Sequence, residues 1–267
     1  MTSSPELSAP AFVIFGGTGG IGSAVARRLV GRGWSVAVAA RNVERLTAAA
    51  STLGCDSLEA DCLDGAQVEA ALRAALTRFG RLDGVACCVG SLLLKPAHLT
   101  SDAEWTSTIA ANLFTAFCVL RASVSLMLET DARESDGQPA AQATRSIVLI
   151  SSAAASVGMA NHEAIAAAKS GVMGLARSAA ASYAARGIRV NCVAPGLVET
   201  PLTARLTASD LARRAATSLH AIGRIGEPDD VAAAIEWLLD PASSWVTGQV
   251  IGVDGGLASL RVRGGGG

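Results

Sequence analysis

Aromatic residues are scarce in this 267-residue chain. One tyrosine, five phenylalanines and four tryptophans make up 4% of it, while half of the residues are hydrophobic and many of those are alanine. That composition points to close-packed helices rather than a core of stacked rings. Charge of either sign is also missing in excess, with 22 basic residues against 23 acidic ones and a net charge of −1. No basic patch marks a nucleic-acid binder and no like-charge run marks a disordered acidic tail, so neither nucleic acid nor an anionic membrane surface is an expected partner. No apolar run approaches the roughly eighteen residues of a spanning helix. The opening MTSSPELSAP lacks the basic start and apolar stretch of a secretory signal and reads as a flexible arm over residues 1–10. The six cysteines, at 55, 62, 87, 88, 118 and 192, form no C-x-x-C and no Cys/His pair with zinc spacing. His98 and His220 have no acidic or cysteine companions at ligand spacing, so no metal is expected. Free thiols in a reducing cytoplasm are the expectation, and the adjacent Cys87 and Cys88 cannot point the same way on a strand.

What the chain does contain is alternation. Short apolar runs rich in β-branched residues, at 11–15, 35–40, 57–60, 83–89, 146–152, 188–194 and 248–254, are separated by longer segments of helical spacing. No internal repeat and no Pro/Ser-rich linker interrupts the pattern. It predicts an α/β fold with one doubly wound domain over residues 11–256, a parallel seven-stranded sheet with helices on both faces. Ligands of such sheets bind at the carboxyl ends of the strands. The polar stretch 129–145 is expected to be a surface loop, and residues 257–267 a C-terminal tail.

Directly after the first predicted strand comes Gly16-Gly17-Thr18-Gly19-Gly20-Ile21-Gly22, and then a helical pattern carrying Ala24, Val25, Leu29 and Val30. A glycine-rich turn opening a helix suits a pyrophosphate, because residues without Cβ let the backbone approach and the helix N-terminus offers free N–H groups. It can also merely join strand to helix. Arg41 ends the second strand nineteen residues past Gly22, where an acid would suit the 2′-hydroxyl of NAD. A guanidinium suits a 2′-phosphate instead, although a solvated helix-start arginine reads the same way. Asp61 ends the third strand and could meet an adenine amino group or cap a helix.

With those residues in hand, the chain resembles the short-chain dehydrogenase/reductase superfamily in its short, single-domain, Rossmann-type form. Gly16, Gly20 and Gly22 match G-x-x-x-G-x-G, Asn112 the helix asparagine, Ser152 the serine, and Lys169 the lysine of that family. Pro195-Gly196 and Thr200 match its nicotinamide loop. GRIGEPDDVAAAIEWLL and TGQVIGVDGG match its C-terminal patterns. The resemblance implies an NADP(H)-dependent oxidoreductase acting on a small molecule, with NAD(H) second to NADP(H). It also implies that Thr18, Ile21, Arg41, Asn42, Asp61, Cys62, Gly90 and Val198 line the coenzyme site. The lysine would hold the nicotinamide ribose, the serine the substrate oxygen, and the asparagine a proton-relaying water. The helix from about Glu163 to Ala185 carries small residues, including Ala166, Ser170, Gly171, Gly174 and Ala181, and the family uses it for a homodimer or homotetramer.

Three departures stand out. The family has a tyrosine four residues before its lysine; here that residue is Ile165, and the only tyrosine, Tyr183, lies fourteen residues beyond Lys169. The family's N-N-A-G reads Cys87-Cys88-Val89-Gly90 here, and Gly19 stands where many NADP-dependent members carry a basic residue, which leaves Arg41 to recognise the 2′-phosphate largely alone. The missing general acid costs about 10²- to 10⁴-fold. His162, two helical turns before Lys169, is the stand-in candidate, although Asn161-His162-Glu163 also reads as a helix start capped by Asn161. Alternatively the substrate needs no strong acid, as an imine or activated C=C would not, and Ile165 joins Leu202 and Leu206 in an apolar wall. A third reading is a catalytically silent NADP(H) sensor or scaffold. The stretch Leu202 to Leu219 is expected to form a mobile lid, and Trp237 and Trp245 to pack near the last strand.

Overall fold

The computed structural model describes residues 9–134 and 145–261. The segments 1–8 and 262–267, which hold most of the expected arm and tail, lie outside them. All seven expected strands form: β1 (Ala11–Phe15), β2 (Ser35–Ala40), β3 (Asp56–Glu59), β4 (Gly84–Cys87), β5 (Arg145–Ile150), β6 (Ile188–Pro195) and β7 (Val250–Val253). They pair in parallel in the order β3-β2-β1-β4-β5-β6-β7. The helices are α1 (Gly20–Gly31), α2 (Val43–Leu53), α3 (Gly65–Phe79), α4 (Asp102–Ile109), α5 (Thr115–Glu134), α6 (Glu163–Tyr183), α7 (Asp210–Ser218) and α8 (Pro228–Leu239). The chain reverses its direction of travel between β1 and β4, and this is where a doubly wound sheet opens a crevice at its strand ends.

Strand alternation divides the core into two layers. Val13, Phe15, Val85, Ile147 and Val190 face α3, α5 and α6, while Phe12, Ile14, Val36, Val38 and Val148 face α1, α2 and α8. Each residue flips face relative to its neighbour, so strands buried on both sides read as unbroken apolar runs. Arg28 of α1 and Arg32 just past its end reach Glu236 of α8 and Asp240 just past its end, at 2.5 Å in the shortest contact of each, and clip the two helices of one layer together.

Several expectations are corrected. The surface loop expected at 129–145 begins as helix, because α5 runs on to Glu134; residues 135–144 lie outside the described ones. Asp102–Thr130 is long and apolar enough by composition to cross a membrane, contrary to the sequence reading. More than half of its most apolar stretch is buried within the molecule, and polar side chains bond back to its own backbone, Thr115 to Ala111 O and Ser123 to Val119 O. The C-terminal tail is held by its backbone as far as Leu260, with Leu257 N bonding Asp254 O and Leu260 N bonding Gly256 O, and nearly all of it beyond Leu260 lies outside the described residues. Trp237 and Trp245 do not pack beside β7. Trp237 sits on α8 opposite its buried face of Val231, Ala232, Ile235, Leu238 and Leu239, and Trp245 is 99% exposed. The lid segment is a short turn at Ala204–Thr207 followed by the nine-residue α7, capped by Ser209. Leu202, Leu211 and Leu219 point to solvent, and only Leu206 is half-buried.

Candidate active site

A cleft of about 540 Å³ opens at the carboxyl ends of β1 to β4. Gly16, Thr18, Gly20, Ile21 and Gly22 form its floor, Arg41, Arg45, Asp61 and Cys62 one wall, and Gly90, Ser91, Thr200 and Leu202 the far end. The turn needs its glycines. Gly16 has φ +77°, and a Cβ there would lie 2.8 Å from the Cys88 carbonyl carbon; a Cβ on Gly22 would run into the Gly16 carbonyl oxygen. The N-cap of α1 is Gly19, with no side chain to satisfy the first helical N–H groups, which stay available to an anion. Floor and flank therefore fit a dinucleotide: a cradle that any Cβ would fill, with two guanidinium groups beside it.

The acidic and basic flank differs from the sequence reading in one respect. Arg41 is exposed at the cleft wall and Asn42 caps α2 by accepting from Arg45 N at 2.9 Å. That cap starts the helix so that Arg45 swings back across the cleft, where its Nη2 donates to Thr18 O at 3.4 Å. Arg41 is thus not alone. The helix-cap alternative for Asp61 also fails: Asp64 caps α3, while Asp61 Oδ1 accepts from Leu63 N at 3.0 Å and the residue stays at the cleft wall.

At the far end, Gly90 is the meeting point. A Cβ there would lie 2.8 Å from Asn112 Oδ1 and 3.3 Å from Lys169 Nζ, so both polar groups stand directly behind its backbone. Asn112 sits in a π-helical turn at Ala110–Phe114, between α4 and α5; such irregular turns recur at functional sites. Its side chain is committed to its own chain. Oδ1 accepts from Ser91 N at 3.1 Å, and Nδ2 donates to Ser91 Oγ at 3.0 Å and Thr108 O at 2.9 Å. Asn112 therefore pins the loop leaving β4.

Lys169 is buried in α6 and fastened twice. Its Nζ donates to Ile150 O at 2.9 Å, and its own carbonyl accepts from Ser151 Oγ at 2.7 Å. Ser151 carried no distinguishing signal in the sequence beyond preceding Ser152. Burial pushes the lysine below its ordinary value, since its neighbours are the thiols of Cys87, Cys88 and Cys192 rather than a carboxylate. Burial likewise pushes the Cys88 thiol up, so no thiolate neutralises the ammonium. Ser152 is half-buried at the end of β5. Its Oγ accepts from Ala154 N at 3.2 Å, capping a short turn, and keeps its own proton to donate.

Ile165, one turn before Lys169, is 4% exposed and belongs to neither core layer. His162 occupies the N-cap position of α6, half-buried, with Nδ1 2.7 Å from Ala160 O. Asn161 is not the cap the sequence suggested, because it takes a left-handed φ of 64° one residue earlier. Tyr183 ends α6 and packs against the β5–β6 side of the core, remote from Lys169 by two-thirds of the helix. Ser152, His162, Ile165 and Lys169 are not among the walls of the cleft itself. Pro195 ends β6, Gly196 and Val198 follow it, and the loop folds back through Thr203, whose Oγ accepts from Thr200 N at 3.1 Å. A Cβ on Gly20 would lie 2.7 Å from Thr200 Cγ2, so this loop closes on the glycine turn.

A seven-stranded parallel sheet with a glycine cradle at its switch point defines the class of doubly wound dinucleotide-fold proteins. Comparison with known proteins narrows the class. Residues 16–258 match the family model described as enoyl-(acyl carrier protein) reductase. The chain is 37% identical over 254 residues to cis-4-hydroxycyclohexanecarboxylate dehydrogenase of Sinomonas cyclohexanicum, covering 93% of this chain and 96% of that protein. Among solved structures, a short-chain type dehydrogenase/reductase from Mycobacterium ulcerans superposes with a TM-score of 0.86 at 32% identity, covering 96% and 92% of the two chains. Actinorhodin polyketide ketoreductase with NADPH gives 0.85 at 29%, covering 94% and 98%. The chain belongs to the short-chain dehydrogenase/reductase superfamily, and it is an oxidoreductase of that type.

Proposed function

We propose that this protein transfers hydride between NADP(H) and a small to medium apolar carbonyl, imine or activated C=C compound, using a proton source other than residue 165. The observation that carries this reading is a buried aliphatic Ile165 one turn before a buried, doubly fastened Lys169, in a site that keeps the family's glycine turn, helix asparagine, serine and lysine. When bound, the coenzyme supplies or accepts the hydride. The backbone N–H groups around Gly19 and Gly20 hold its pyrophosphate, and Arg41 with Arg45 holds the 2′-phosphate, which NAD(H) lacks. Lys169 hydrogen-bonds the nicotinamide ribose, and Asn112 keeps the β4 exit loop in place through Ser91. Ser152 donates its free proton to the electrophile. Ile165 and the half-buried Leu206 exclude water from the reacting carbon, and Leu202, exposed at the mouth of the cleft, joins that wall only by turning inward over a bound substrate.

An iminium already carries the charge that a proton would bring, and an enone accepts hydride at carbon and a proton later from solvent. Neither needs a phenol. His162 gives its Nδ1–H to Ala160 O, so Nε2 is an acceptor in the neutral ring and delivers a proton to substrates that need one only after taking one up from solvent. The relative that acts on a hydroxycyclohexane carboxylate and the NADPH-bound ketoreductase support an alicyclic substrate and this coenzyme. The exposed small residues of α6 and the apolar hollow formed by Ile109, Leu113, Phe114, Phe117 and Leu175 support a homodimer or homotetramer. Six free thiols support a reducing, cytoplasmic setting.

The test is to incubate the protein with NADPH and a panel of ketones, cyclic imines and enones, following absorbance at the nicotinamide band. Oxidation with imines or enones at rates well above those with simple ketones is expected. Tight NADPH binding with no oxidation across the panel would place the chain with coenzyme sensors instead, and no binding at all would end the reading.

A further inference from the structure

His220 is buried, 3% exposed, and lies outside the coenzyme cleft, just past the end of α7. Its Nε2 is 3.1 Å from Leu197 N, and a backbone amide can only donate, so Nε2 is an unprotonated acceptor. Nδ1 then carries the ring proton and donates to Ala216 O at 2.8 Å. Both nitrogens of a neutral imidazole are thus used, one on α7 and one on the loop that follows β6. The charged groups nearby are engaged elsewhere. Asp254 accepts from Gly256 N and Ala258 N, both at 2.9 Å, and Arg224 pairs with Asp230. The fit is close, since a Cβ on Gly196 would lie 2.8 Å from His220 Nε2.

The loop held by this ring is the one that reaches the glycine turn at Thr200. An ion pair between Arg213 of α7 and Glu199 joins the same two segments at the surface. We infer that His220 is a positioning residue, a strut that sets the Pro195–Thr200 loop against the nicotinamide half of the coenzyme and couples it to α7. This inference rests on the coenzyme reading above. It touches neither coenzyme nor substrate, so its removal loosens one half of the ligand and spares the other.

The experiment compares NADPH with 2′-phospho-ADP-ribose, the same molecule without its nicotinamide ring, as ligands of His220→Ala, His220→Gln and Gly196→Ala. One lost buried hydrogen bond corresponds to a roughly 3- to 10-fold weaker affinity. His220→Ala is expected to lose about that factor for NADPH and less than about twofold for the fragment. His220→Gln, whose amide oxygen can accept from Leu197 N, recovers most of the loss. Gly196→Ala leaves the imidazole in place but drives the loop off it, and reproduces the selective loss even where His220→Ala folds poorly. Equal weakening for both ligands, no change for either, or glutamine behaving as alanine would overturn the strut. Wild-type protein that binds neither ligand overturns the coenzyme reading and takes the strut with it. Wild-type binding with unmoved variants overturns the strut alone.

Discussion

Replacing Ile165 by tyrosine puts the missing phenol back where the geometry has room for its chemistry but not for its bulk. Residues four apart on a helix rise by about 6 Å and share a face, so a tyrosine at 165 stands next to Lys169. The position is 4% exposed, and over-packing at such a site typically costs about 1–3 kcal/mol. For a chain of this size each kcal/mol lowers the melting temperature by about 2–4 °C. The chemical return is larger, because a positioned general acid contributes about 10²- to 10⁴-fold and a nearby ammonium lowers the phenol pKa into a useful range. Ile165→Tyr is therefore expected to melt a few degrees lower and to reduce simple ketones at least about 100-fold faster than the parent chain. Ile165→Phe adds the same ring without the hydroxyl; it should share the lower melting point and show none of the gain. The assay is NADPH oxidation with cyclohexanone beside a thermal melt. A folded Ile165→Tyr protein that binds NADPH as the parent does, yet gains nothing over Ile165→Phe, would show that Ser152 and Lys169 do not converge on a carbonyl.

Three further outcomes follow from the same contacts. Arg41→Ala and Arg45→Ala should each weaken NADPH binding about tenfold, at the low end for charge-assisted bonds because both side chains are exposed, while NADH binding stays within about twofold by calorimetry. Lys169→Met should raise the melting temperature at neutral pH while weakening NADPH binding. Burial lowers this lysine in the folded state, so its cost is relieved as pH rises toward the ordinary value of 10.5, and melts between pH 7 and 10.5 should lose that slope in the methionine variant. Glu104 is held down to about 2, first by the Lys95 ammonium and then by the Ser101 N–H and hydroxyl of its capping box. Its stabilising contribution is present above about 4.5 and fades as pH falls toward 2, so Glu104→Gln should flatten the acid limb of stability in that window.

Strands β1, β2, β4, β5 and β6 were legible because they are buried on both faces, which leaves continuous apolar runs such as Ala11–Phe15 and Ile188–Pro195, while the edge strands β3 and β7 are only partly buried and were read from their place in the alternation. The glycine turn was legible for a local reason, since a Cβ on Gly22 would meet the Gly16 carbonyl oxygen within one short segment, although what bars a Cβ on Gly16 is Cys88 just past β4. Arg45, Ser151 and His220 were not, since each matters through a bond to an element outside its own helix or turn. A serine beside a serine, or a histidine in an unremarkable stretch, carries no periodic mark. The leucines of the expected lid and the two tryptophans misled for the opposite reason. Their apolarity suggested burial, yet α7 and the outer face of α8 leave Leu211, Leu219, Trp237 and Trp245 uncovered within one chain.

Taken alone, the amino-acid order determined the layered α/β architecture, the place of the phosphate cradle and the absence of a phenol before Lys169, because local propensity, burial period and residue identity are properties of neighbours along the chain. The tertiary structure decided that Arg45 joins Arg41, that Asn112 spends its side chain on Ser91, and that Lys169 is held between Ile150 and Ser151. Those outcomes depend on which side chains the parallel crossovers bring within about 3 Å of one another, a distance set by the packing of helices on the sheet and not by spacing in sequence.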